Sequence, residues 1–177
     1  PDKVFNPDVN SILLLQLEIP LHTVEYAAAK AYENGIKVVL NPAPAQELTD
    51  RLLSNIWLAT PNEIEAEALT GKSITDSKSA GRAAEALKAK GVRNVIITLG
   101  ESGAYVNSED VTGMVPGIRV KATDTTAEGD VFNGAVAVAL SEGMTMKEAV
   151  VFANKSAAIS VTRMGAQASA PFRNEII

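Results

Sequence analysis

The chain has 177 residues, 46% of them hydrophobic, and a formal net charge of −5. That is enough for one domain with a sizeable core, and the composition excludes a disordered chain. There is no Lys/Arg block, no apolar run of roughly 18 residues, no signal-peptide pattern and no cysteine. Nucleic acid as the main partner, a membrane helix, disulfides and thiolate metal sites are therefore excluded, and the expected location is the cytoplasm.

The opening PDKVFNPDVN runs straight into an apolar stretch without an initiator Met, so the chain is expected to begin inside a larger domain. Ser11 to Leu17 reads as a buried strand, and Leu21 to Asn34 as a helix stopped by Gly35. Lys37 to Leu40 is a second strand running into the turn-like NPAPA, and Glu47 to Asn55 suggests a short helix. Ile56 to Thr60 is a third strand ending at Pro61, followed by helical Glu63 to Thr70 with Gly71 as its stop. Ser77 to Lys90 is an amphipathic helix before Gly91, and Val95 to Leu99 is another buried strand. Ala104 to Val106 and Met114 to Val120 read as antiparallel edge strands, and Ala127 to Ser141 and Thr145 to Thr162 as Ala-rich helices. No repeat, linker or low-complexity tract divides the chain, so residues 1–177 are read as one unit. Alternating βα elements with continuously apolar strands predict an α/β fold, a mostly parallel sheet with helices on both faces. In such sheets ligands bind at the carboxyl ends of the strands, here the loops after Leu17, Leu40, Thr60 and Leu99.

The most informative segment is DTTAEGDVFNGA, Asp124 to Ala135, which leads from an apparent strand into a small-residue helix. A helix starting near Ala127 would present free amides to an anion, and small residues let the backbone come close to a phosphate. Asp130 in the first turn is placed to accept a hydroxyl proton as that oxygen attacks phosphorus. The plainer alternative is that Asp130 and Glu128 only complement the helix dipole. His22, the sole histidine, has no second member for a metal site or a triad and reads as an exposed helix-start residue. Lys155 and Arg163 are too sparse for a nucleic-acid surface, and the P-loop pattern is absent, so any nucleotide must use a different cradle.

DTTAEGDVFNGA resembles the C-terminal signature of the ribokinase-like family of carbohydrate kinases. Further segments resemble that family in the same order: QLEIP, NPAPAQEL, TPNEIEAEALTG, TLGESG and VTRMGAQAS. The likeness covers essentially the whole chain, and NPAPA and GAQAS point to its ribose-phosphorylating branch. It implies a ribokinase-like fold that lacks the N-terminal strands and lid, acting in ATP-dependent phosphorylation of D-ribose to ribose 5-phosphate. It also implies ATP, Mg²⁺ and a monovalent cation such as K⁺. Asp130 then matches the catalytic base, with the backbone of Ala127 to Gly129 as the anion hole. Asn62 and Glu65 would act through water on Mg²⁺ and the phosphates. Thr98, Gly100 and Gly103 would line the nucleotide, and Asn154 would lie near the adenine. Glu18 would hydrogen-bond the ribose. Asp124, Thr126, Ser160, Arg163, Gly165 and Ser169 match the positions that hold the monovalent cation.

Plainer readings stand beside these: a solvated helix face for Glu65, an exposed helical Asn for Asn154, a charged strand end for Glu18. Two departures from the family pattern bear on activity. Glu128 stands where a small residue is expected, inside the proposed anion hole, pointing either inward or out to solvent. The N-terminal portion that completes the sugar site is expected to be missing, so a homodimer or a separate N-terminal segment is an expected partner. The alternatives to a sugar kinase acting on ribose are a catalytically impaired nucleotide-binding fragment and another sugar kinase of the same family.

Overall fold

A computed structural model describes residues 11–176. The opening stretch, residues 1–10, lies outside the described residues, and with it the reading of the chain's start. Six strands form one sheet in sequence order: β1 (Ile12–Leu15), β2 (Lys37–Leu40), β3 (Leu58–Ala59), β4 (Asn94–Thr98), β5 (Gly103–Asn107) and β6 (Thr112–Pro116). β1 to β4 are parallel, and β5 and β6 are antiparallel to their neighbours. Among the described residues seven α-helices accompany the sheet: α1 (Leu21–Glu33), α2 (Asp50–Leu53), α3 (Glu63–Thr70), α4 (Ser77–Ala89), α5 (Glu128–Ser141), α6 (Met146–Ser160) and α7 (Arg173–Ile176).

The period-2 alternation of the strands explains the two cores. Val38, Leu40, Val95 and Ile97 face α1 to α4, meeting Val24, Ala28, Leu52, Leu53, Ala66 and Leu87. Val39, Leu58 and Ile96 face the other way, onto Phe132, Val136 and Leu140 of α5 and Ala149, Val150 and Ala153 of α6. Each large side chain that is fully buried in this way, such as Ile96 or Ile97, contributes about 1.5–3 kcal/mol. Small residues on the inner faces of α4 and α6 (Ala80, Ala83, Ala84; Ala149, Ala153, Ala157) let these helices lie close to the sheet.

Local chemistry sets most boundaries. Asn62, Asp76 and Thr145 each close a capping box at the start of α3, α4 and α6. Gly71 ends α3 in the left-handed conformation at φ 67°. Several expected elements are shorter than predicted: β1 keeps Ile12–Leu15 of Ser11 to Leu17 and β3 keeps Leu58–Ala59 of Ile56 to Thr60, and α2 and β6 are cut back too. α2 begins at Asp50 because the Thr49 hydroxyl caps Leu52 N, leaving Glu47 and Leu48 outside the helix. β6 ends at Pro116 and does not reach Val120, because its partner β5 begins at Gly103, opposite Pro116, and no ladder exists beyond. The chain instead turns away at Gly117, and Ile118 and Val120 become cleft wall. Two single-turn 3₁₀ segments, Gly100–Ser102 and Gln167–Ser169, and α7 were not anticipated. β1 forms one edge of the sheet, and its Leu14 is 38% exposed. Among the described residues, no helix is long and apolar enough to cross a membrane.

Candidate active site

The carboxyl ends of β3 and β4 open into a cleft of about 420 Å³, where an α/β sheet is expected to bind its ligand. Asn62, Thr98, Gly100, Gly103, Gly129 and Asn154, drawn from four separate stretches of sequence, converge on it. A β-bridge between Asn62 and Thr98 ties the first two together. The Gly100–Ser102 turn and the segment after β6 form the far wall, and the start of α5 with the inner face of α6 forms the near one.

Glu65 is not a solvated helix-face residue. It is 7% exposed, with one carboxylate oxygen accepting from Asn62 N at 2.9 Å and the other from Asn62 Nδ2 at 3.0 Å. Asn62 Oδ1 accepts from Glu65 N in return. Desolvation by burial pushes the Glu65 carboxyl above its ordinary value, against the lowering effect of the Asn62 amide. Glu65 therefore holds the Asn62 side chain at the cleft wall without itself lining the cleft. Asn154 is likewise not an exposed helical Asn; it is 8% exposed and donates to Pro116 O at 3.1 Å, pinning the end of β6 to α6.

The start of α5 divides two environments. Glu128 and Gly129 line the cleft, whereas Ala127 and Asp130 line a separate groove between α5 and the C-terminal segment. Asp130 is exposed, and Gln16 Nε2, just past the end of β1, donates to its Oδ1 at 2.8 Å. Glu18, two residues further on, is also exposed. Glu128 lines the cleft and is half-buried rather than standing out in solvent. Its half-buried carboxylate makes no hydrogen bond or ion pair among the described residues, and burial pushes its pKa up. His22 is exposed at the start of α1, as expected.

Asn133, which the sequence reading passed over, supports the start of α5 from below. It is 4% exposed, donates to Gly129 O at 2.8 Å and accepts from the Thr60 hydroxyl at the end of β3. A polar residue in the middle of an apolar helical pattern (VFNGA) was its only signal.

The positions matched to a monovalent cation are only partly drawn together. Asp124 Oδ1 accepts from Thr126 N and Oγ1, and Asp124 Oδ2 accepts from Gly165 N at 2.9 Å. These three donors hold the Asp124 carboxyl down at about 2, the Thr126 hydroxyl contributing most. Val161 O accepts from Thr123 N and Asp124 N, and Ser160 O accepts from Arg163 N, so carbonyls of this loop are already engaged. The Ser160 and Ser169 hydroxyls are buried and bond to Ala157 O and Ala166 O. The Arg163 guanidinium is paired with Glu175 at 2.6 Å, and because it carries no acceptor only the backbone of Arg163 could serve a cation. Among the described residues, no group of three or more His, Cys, Asp or Glu side chains is placed to hold a metal ion.

Residues 5–173 match the pfkB family of carbohydrate kinases. The chain is 52% identical over 165 residues to a ribokinase of Haemophilus influenzae, covering 93% of this chain and 54% of that protein. It superposes on the crystal structure of a ribokinase from Thermotoga maritima with a TM-score of 0.84 at 46% identity, covering 94% of this chain and 55% of the other. A ribokinase of Arabidopsis thaliana complexed with ribose and ATP matches with a TM-score of 0.89 at 30% identity, covering 93% and 54%. The chain thus spans about half the length of the relatives it matches.

Proposed function

The chain belongs to the pfkB family of carbohydrate kinases, and we propose that it carries the nucleotide-binding and catalytic part of a kinase that phosphorylates D-ribose with ATP. The observation that carries this reading is the division at the start of α5. Gly129 faces the cleft, while Asp130, one residue on, faces the end of β1 where Glu18 stands. A triphosphate in the cleft would aim its terminal phosphate at the start of α5, where the first-turn amides have no intrahelical acceptor and one of them, Glu128 N, turns back to Thr125 O at 3.2 Å. A sugar beside Glu18 would bring its primary hydroxyl to Asp130 from the other side.

In the reaction, Asp130 takes the proton of that hydroxyl as the oxygen forms its bond to the γ-phosphorus. The bond between the γ-phosphorus and its bridging oxygen breaks, and ADP leaves. The amides around Ala127 to Gly129 stabilise charge on the transferring phosphoryl group, which is most of what such a transfer asks of a protein. Mg²⁺ would be held by the phosphates and water, with Asn62 acting through that water and Glu65, whose two oxygens both bond Asn62, fixing it in place; among the described residues no group of carboxylates is placed to hold the ion directly. A monovalent cation such as K⁺ would sit beside the Asp124 carboxylate, on carbonyls of the loops at Ser160, Gly165 and Ser169. The remainder of the sugar site would come from the part of the relatives' length that this chain does not span, or from a second copy. We place the protein in the cytoplasm.

Calorimetry with Mg²⁺ and K⁺, followed by ribose-dependent ADP release, tests the proposal. We expect ATP to bind and Asp130→Asn to keep that affinity within a few fold while turnover falls about 10²–10⁴-fold. Turnover that survives Asp130→Asn would overturn the assignment of the base. The cleft-lining Glu128 favours a second reading, a nucleotide-binding module impaired in turnover. ATP binding without ribose-dependent ADP release selects it.

A further inference from the structure

The charges on the cleft wall do not suit a free polyphosphate. Three acidic residues line it: Glu63 at the start of α3, Glu101 in the 3₁₀ turn and Glu128 at the start of α5. No Lys, Arg or His is among the lining residues; Arg119 and Lys121 stand on the segment after β6, but neither lines the cleft, and α6 contributes only Asn154 and apolar side chains. Glu63 and Glu101 are exposed, whereas Glu128 is half-buried and without a partner among the described residues. It shares the cleft wall with Gly129, beside the amides that an incoming phosphate would use. A carboxylate so placed competes with the phosphate for those amides and repels it across a partly desolvated gap.

Building on the nucleotide-binding reading, we propose that Glu128 makes this cleft select nucleotides by charge, accepting a triphosphate as its divalent-cation complex and rejecting the metal-free form. A divalent cation on the phosphates turns the nearest interaction of Glu128 from repulsion to attraction. Without the cation, like charges roughly 4 Å apart at an effective dielectric of about 20 weaken binding on the order of a thousandfold. Longer separation and solvent screening reduce that, so a change of at least about tenfold is expected. An uncharged nucleoside feels neither effect.

The test uses Glu128→Gln, which keeps the side chain's size and removes its charge. Binding of three probes to the variant and the wild-type chain is compared by calorimetry: adenosine, the non-hydrolysable analogue adenylyl imidodiphosphate with chelator, and the same analogue with Mg²⁺. The proposal predicts that Glu128→Gln tightens the metal-free analogue about tenfold or more and leaves adenosine within twofold. The gain conferred by Mg²⁺ should shrink correspondingly in the variant. Equal changes for adenosine and the analogue would overturn it, because that pattern belongs to altered packing rather than charge. Adenosine binding with no change for the metal-free analogue overturns the role of Glu128 and leaves the nucleotide-binding reading standing. Binding of no probe to either protein at millimolar concentration overturns both.

Discussion

Gly103 is where the geometry of the cleft is least tolerant of change. It opens β5 with φ 97° and ψ −130°, a conformation that L side chains rarely adopt. A Cβ added there would stand 2.2 Å from Val115 O, 2.3 Å from Gly117 N and 2.6 Å from Pro116 C. All three are backbone atoms of β6 and its exit, so no side chain can rotate away. Relief requires β6 to retreat from β5, breaking the pairing of Gly103 with Pro116 and the bond from Gly117 N to Ser102 O. Backbone strain of about 1–3 kcal/mol and two hydrogen bonds at about 1 kcal/mol each give an expected cost for Gly103→Ala of roughly 3–5 kcal/mol. That is a large share of the ~5–15 kcal/mol by which a domain is stable. Gly100, three residues earlier, is the control. Its φ is 53° and a Cβ would meet nothing within 4 Å, so Gly100→Ala should cost only about 1–2 kcal/mol. Urea unfolding of both variants, followed by circular dichroism, measures the difference. A Gly103→Ala variant no less stable than Gly100→Ala would refute the reasoning, and with it the close approach of β5 and β6 at the cleft wall.

Asn133→Ala removes the side chain joining Gly129 O to the Thr60 hydroxyl in a buried setting. Thermal denaturation should show a loss of about 1–3 kcal/mol. Asp124 titrates at about 2, below its ordinary 3.8, so its contribution to stability is complete above about 3.8 and is lost as the pH falls toward 2. The stability advantage of the wild-type chain over Asp124→Asn should therefore shrink across that window; an advantage independent of pH would mean that the Thr126 and Gly165 contacts do not persist in solution.

Much of the fold is legible from neighbours in sequence. α3 is read from Asn62 at its start, Glu65 three residues on and Gly71 at its end, because a capping box and a left-handed stop are built within one or two helical turns. The strands are read from short apolar runs, since a sheet covered on both faces wants Val, Ile and Leu at every position. The end of β6 is overrun in such reading, which carries the strand past the turn-like Pro116–Gly117 to the apolar Ile118 and Val120; pairing stops at Pro116, opposite the start of β5 at Gly103. The candidate site divides in the same way. DTTAEGD marked a helix start with two carboxylates, but the direction of each is set by what stands opposite after folding. Gln16 meets Asp130 across 114 positions of sequence, while Glu128 lines a cleft whose other walls come from residues 62 to 161. The burial of Asn133 and Asn154 is not legible locally, since a buried polar side chain is explained by the groups it satisfies across the fold, here the Thr60 hydroxyl and Pro116 O. The sequence by itself determined the six strands and the helices α1 to α6, though not all their ends, because those choices rest on contacts a few residues apart. The tertiary structure alone decided which carboxylate lines the cleft and which meets Gln16 at the end of β1, because charge, burial and hydrogen bonding at the start of α5 depend on segments brought together only by the sheet.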